Sequence, residues 1–154
     1  MRWILWYVTV AMVGAVITSR RDPCITLVMR QKHPRLVPVD ALFPVVWTIL
    51  YVALAYHAQE NDNMFVILWF MIWRYSTPVV ILHLLNGVLC VLWCWLFFRI
   101  DRPDLSLLVA LLLCLTGHLL ALLGRKNAFV VTPYVLWCAF AGILNAFALA
   151  TDCP

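Results

Sequence analysis

The residues in this chain best suited to chemistry are indoles, phenols and amides, and they recur at helical spacing in three separate apolar stretches. Phe43, Trp47 and Tyr51 form one set, Asn86, Cys90, Trp93 and Phe97 a second, and Tyr134, Trp137, Ala141 and Asn145 a third. Steps of three and four residues put each set close to one face of a helix. Trp N–H, Tyr O–H and Asn amides find no partner in lipid, so such faces turn toward other polar atoms or toward a bound molecule. Three of them meeting, with small gaps at Ala141 and Gly142, would line an apolar cavity carrying a few hydrogen-bonding groups. That is the makeup of a site for a flat, apolar ligand.

Each residue taken singly has a plainer explanation. Trp and Tyr collect at membrane interfaces, where Trp3, Trp6, Tyr7, Trp69 and Trp73 are expected as anchors. Asn86 and Asn145 can equally join one helix to another. The combination is what favours a pocket.

Other chemistry lacks its parts. Among acidic and basic side chains only His57, His83 and His118 lie deep in the four later apolar stretches. Ion-coupled pumps keep a membrane carboxylate or cation for their work, and none is present there. His83 and His118 invite a haem-ligand reading, but an isolated His in a membrane helix is expected in an interhelical hydrogen bond, so no metal is assigned. Of the six cysteines, Cys90, Cys94, Cys114 and Cys138 sit in apolar runs as small hydrophobes, and with Cys24 and Cys153 they form no CxxC pair that would support a zinc site or a disulfide framework. No Ser-His-Asp set, paired carboxylates or glycine-rich phosphate loop can be assembled, and catalytic residues are not assigned.

The elements that position these residues follow from composition. The 154 residues are 66% hydrophobic and 12% charged, where soluble domains run near half and a quarter. A bilayer span takes about 20 apolar residues, so the chain suffices for about five. The fold expected is an all-α bundle of five transmembrane helices in a single domain, spanning about 3–18, 43–59, 78–98, 105–124 and 128–149. Arg2 followed by an apolar run resembles a secretory signal, but its aromatic start and the Arg20-Arg21 stop fit a first span better. Residues 19–42 hold Pro23, Pro34 and Pro38 and cannot be one helix. Met64 to Tyr75 reads as an interfacial segment too short to cross, divided from the third span by Arg74 and Pro78. The net charge of +4 is spread through the connections, which argues against nucleic acid and for a topology signal. Seven Lys and Arg on the side of the first and third connections, against four on the other, place that side and the C-terminus in the cytoplasm.

The run Pro133-Tyr134-Val135-Leu136-Trp137, with Phe140-Ala141 and Leu144-Asn145, resembles the fifth-helix signature of the TspO/translocator protein family, the tryptophan-rich sensory proteins also called peripheral benzodiazepine receptors. Gly14 to Thr18, Phe43-Pro44-Val45-Val46-Trp47-Thr48-Ile49-Leu50-Tyr51, and Trp93 with Phe97-Phe98 and Asp101-Arg102-Pro103 agree in the family's order, with an apparent insertion around residues 60 to 75. The resemblance implies a five-helix membrane bundle, often a homodimer, whose cavity binds porphyrins and, in some members, cholesterol and benzodiazepine-type drugs. It places the protein in the mitochondrial outer membrane if eukaryotic and in the cell membrane if bacterial. It also implies, for some bacterial members, light-dependent tetrapyrrole breakdown through tryptophan.

Carried over by position, the pocket comprises Trp47, Tyr51, Trp93, Phe97, Trp137 and Ala141, supported by Asn145. Cys90 stands where the family usually has Asn, and Asn86 where it usually has Gln, one turn earlier. The first connection has Pro38 without the family's paired prolines, and residues 146–154 lack the sterol-recognition pattern, which lowers the expectation of cholesterol. Three readings stay open: a receptor or carrier for a haem-type tetrapyrrole with no required cofactor, a light-dependent porphyrin-degrading enzyme, and a structural membrane subunit that binds nothing but lipid.

Overall fold

The computed structural model describes residues 2–19, 42–61, 77–124 and 126–150. Expectations for the first connection, for the segment Met64 to Tyr75, and for Cys24 and Cys153 fall outside them. The described residues form five helices with no strand among them: α1 (Arg2–Thr18), α2 (Leu42–Asn61), α3 (Thr77–Phe98), α4 (Pro103–Leu123) and α5 (Thr132–Leu149), the last preceded by a 3-10 turn at Ala128–Val131. The chain is an all-α, five-helix membrane bundle. The second, third and fourth helices and the turn joined to α5 are each long and apolar enough to cross a bilayer, and α1 is a shorter apolar helix of 17 residues.

Local chemistry sets the helix ends. Pro44 lies in the first turn of α2, where its missing N–H costs nothing, and the Thr48 hydroxyl donates to the Pro44 carbonyl at 2.7 Å. Arg102 precedes Pro103 at the start of α4, and its guanidinium clasps Asp104 through two hydrogen bonds of 2.9 and 2.7 Å. The turn between α3 and α4 is short: Asp101 takes a positive φ of 55°, and the Arg102 N–H reaches back to the Leu96 carbonyl at 3.1 Å, closing the end of α3. Asn61, at the end of α2, grips the turn before α5: its amide donates to the Lys126 carbonyl at 3.0 Å and accepts from the Lys126 N–H at 3.1 Å.

The helices close into a ring in the order α1, α2, α5, α4, α3, with α1 wedged between α2 and α3 and α4 between α3 and α5. Small residues permit the closest approaches. A side chain at Gly87 would strike the Trp6 indole, and one at Gly117 would strike Val135 and Tyr134. The interior gathers every buried polar side chain among the described residues, including His57, His83, Asn86 and Asn145, while large aliphatics such as Leu5, Val52, Leu111 and Leu136 face outward. An exterior of large aliphatics, with polar side chains buried among an apolar core, suits a bundle dissolved in lipid.

Candidate functional site

The three aromatic faces read from helical spacing converge. Trp47 of α2 stands at the centre, with ring centroids 5.3 Å from Tyr51, 6.3 Å from Trp93 of α3, 6.3 Å from Tyr134 of α5 and 6.5 Å from Trp137 of α5. Phe97 stacks on Trp93 at 5.4 Å and 9°, and Phe43 meets Trp137 edge-on at 5.4 Å. The contacts from Trp47 to Tyr134 and Trp137 are edge-to-face, the arrangement that aligns the positive rim of one ring with the negative face of another. Ala141 is buried one turn beyond Trp137. The indole nitrogens of Trp93 and Trp137 are both buried without a hydrogen-bond partner. Two donors left unsatisfied beside one ring cluster are costly in an apolar interior, which makes the cluster receptive to a hydrogen-bond acceptor.

The amides are engaged within the bundle. Tyr134 donates to Asn86 Oδ1 at 2.9 Å, Asn86 Nδ2 donates to Thr116 Oγ1 at 2.9 Å, and Thr116 donates to the Leu112 carbonyl at 2.9 Å, so one chain of bonds joins α5, α3 and α4. Cys90 Sγ lies 3.6 Å from the Tyr134 hydroxyl. The amide that holds Tyr134 is thus that of Asn86, one turn before Cys90 on the same face of α3. Asn145 accepts from Ser106 and donates to the Ala141 carbonyl at 2.6 Å, tying α5 to α4. Both asparagines therefore fix the walls that carry the aromatic rings.

A second buried polar group lies beside the first. The Tyr7 hydroxyl is 2.8 Å from His83 Nδ1, and His83 Nε2 is 3.1 Å from His57 Nδ1, linking α1, α3 and α2. Trp3 packs on His83 at 5.4 Å. The expectation that Trp3 and Tyr7 are interfacial anchors is corrected here: they are 7% and 1% exposed, because the phenol and the indole face find a histidine inside the bundle. Trp69 and Trp73 lie outside the described residues. His83 makes the interhelical bond expected of it, while His118 is exposed and 3.1 Å from the Cys114 carbonyl of its own helix. His57 Nε2 is buried without a partner, against Gly124. Spacing gave this group no signature, since its three members come from three helices whose neighbours the sequence does not state. Tyr7 and Tyr51 also wall a groove of about 320 Å³ between α1 and α2, which Gln59, Tyr56 and Thr48 join. Among the described residues no three His, Cys, Asp or Glu side chains are grouped to hold a metal.

An apolar helical ring with an indole-rich interior defines a multi-pass integral membrane protein. Residues 3–150 match the model of the TspO/MBR family, and the chain belongs to that family. It is similar to protein CrtK of Rhodobacter capsulatus, with 28% identity over 123 residues, covering 74% of this chain and 71% of that protein. Membership supports a membrane role of receptor or transporter type.

Proposed function

We propose that this protein is a membrane receptor or carrier for tetrapyrroles, which it holds against Trp47, Trp93 and Trp137. The observation that carries the reading is the meeting of indoles from three helices around Trp47, with the N–H groups of Trp93 and Trp137 buried and unpartnered. A porphyrin presents two flat apolar faces for aromatic rings and ring nitrogens and carboxylates that accept hydrogen bonds. The indoles touch one another, so a macrocycle enters by parting them and exchanging indole–indole contacts for indole–macrocycle ones. Tyr51, Phe97, Tyr134 and Ala141 complete the wall, and Asn86, Cys90 and Asn145 hold it in place. Sterols and benzodiazepine-type compounds are secondary candidates, and a homodimer is proposed from the family resemblance alone.

The test is a titration of the purified protein with protoporphyrin IX, followed by tryptophan quenching. Trp137→Leu removes one ring face and one indole donor, and it is expected to weaken binding by about tenfold or more, the equivalent of about 1.4 kcal/mol. Equal affinity for wild type and variant overturns the site.

A further inference from the structure

We propose that a one-electron oxidation of the tryptophan cluster is relayed through Tyr51 to Tyr7, which gives up its phenolic proton to His83 and becomes the resting place of the radical. Trp47, Tyr51 and Tyr7 form a continuous path: Trp47 lies 5.3 Å from Tyr51, and Tyr51 stacks on Tyr7 at 5.7 Å and 26°. Electron transfer between touching rings has no gap of saturated chain to cross.

The terminus is set by proton chemistry. A phenol in an apolar interior cannot become a radical cation cheaply, so it yields its electron where a base takes the proton in the same event. Tyr134 donates to the amide oxygen of Asn86, which is not a base, and Tyr51 lies between the Tyr7 and Trp47 rings. Among the described residues, Tyr7 is the phenol that meets an imidazole, at 2.8 Å. His83 in turn faces His57 at 3.1 Å.

The step balances as follows. An oxidant against the cluster takes one electron and leaves the Trp47 radical cation. Trp47 recovers an electron from Tyr7 by way of Tyr51, the Tyr7 O–H bond breaks, and the proton forms an N–H bond at His83 Nδ1. The products are neutral Trp47, a neutral Tyr7 radical and a cationic His83. Passage of the His83 Nε2 proton to His57 Nδ1 then carries the positive charge one ring further, to an imidazole whose Nε2 is unpartnered. The oxidant we name is a light-excited tetrapyrrole, and this part rests on the function proposed above. The relay itself does not depend on it.

Two arms of one experiment separate these claims. In the first, protein without porphyrin receives an ultraviolet flash that ejects electrons from indoles, with dissolved oxygen capturing them, and the indolyl and tyrosyl radicals are followed by transient absorption and by spin resonance after rapid freezing. Wild type is expected to convert indolyl to tyrosyl radical, more slowly in heavy water. Tyr7→Phe, which removes one oxygen atom and leaves the ring stack, is expected to lose the tyrosyl signal and prolong the indolyl radical about tenfold. His83→Gln is expected to slow the conversion and to alter the tyrosyl spectrum of whatever radical forms, a change that a merely structural histidine would not produce. A tyrosyl yield in Tyr7→Phe equal to wild type, or none in wild type, overturns the relay. In the second arm the protoporphyrin IX complex is illuminated with visible light. The same tyrosyl radical and accelerated bleaching of the pigment support its role as oxidant; absence of both, with the first arm positive, overturns the light-excited tetrapyrrole as oxidant and leaves the relay standing, while the binding reading is decided separately by the titration above.

Discussion

Asn86 shows how one side chain decides the geometry of the aromatic walls. Its amide is used at both ends, accepting from Tyr134 and donating to Thr116, and it is fully buried. Replacing it with Ala deletes two interhelical hydrogen bonds and leaves the Tyr134 hydroxyl without its acceptor. The expected cost is about 1 to 3 kcal/mol, since such bonds in membrane bundles are individually modest. Tyr134→Phe deletes one of the two bonds and is expected to cost less. Equilibrium unfolding in mixed detergent micelles measures both, and an Asn86→Ala protein as stable as wild type would mean that the amide does not join the helices. Helical spacing correctly put Asn86 on the face of Cys90 and Trp93. It left open whether the amide meets a helix or a ligand, because a spacing describes one helix and the partner belongs to another. The same blindness left unnamed the partners of His83's expected interhelical bond, Tyr7 and His57, which meet it only once α1, α2 and α3 are side by side.

The first helix is the element where sequence pattern and packing diverged. An aromatic start after Arg2 suits a headgroup belt, yet Trp3, Tyr7 and Val10 are the buried residues of α1, at steps of four and three. That spacing was present in the sequence, but an indole at the end of an apolar helix satisfies either environment, and only the imidazole of His83 resolves the choice. Trp6 makes the wedge tight: a Cβ at Gly87 would lie 2.6 Å from its indole nitrogen. Gly87→Ala is therefore expected to push the rigid indole outward and to cost about 1 to 3 kcal/mol, as overpacking does. The cycle with Trp6→Ala checks the cause, because the glycine substitution should become nearly neutral once the indole is gone. If Gly87→Ala is equally harmful in both backgrounds, α1 does not seat on α3 through this contact. By contrast, α2 through α5 were legible because hydrophobic length fixes a membrane helix more firmly than any local propensity.

At the scale of the whole molecule, the bundle holds its polar groups inside and presents aliphatic side chains outside, so its exterior is itself a structural commitment. Leu111, midway along α4, is 57% exposed, and Leu122, near the end of the same helix, is 77% exposed. In water, a lysine at either place would be harmless, since both positions are open and neither supports the core. In a bilayer they differ. A lysine at 111 sits at the depth where a charged residue costs about 2.5 to 3.5 kcal/mol of insertion, while one at 122 can extend its flexible stem toward the headgroups. Leu111→Lys is accordingly expected to reduce the membrane-inserted fraction strongly, and Leu122→Lys to leave it near wild type, in an assay that scores insertion of α4 by modification of flanking tags. The contrast is sharper than either substitution alone, because a general loss of stability would lower both. Equal insertion of the two variants would show that the outer face of α4 is not bathed in lipid at Leu111, and the lipid-facing surface would then have to be reassigned around the ring.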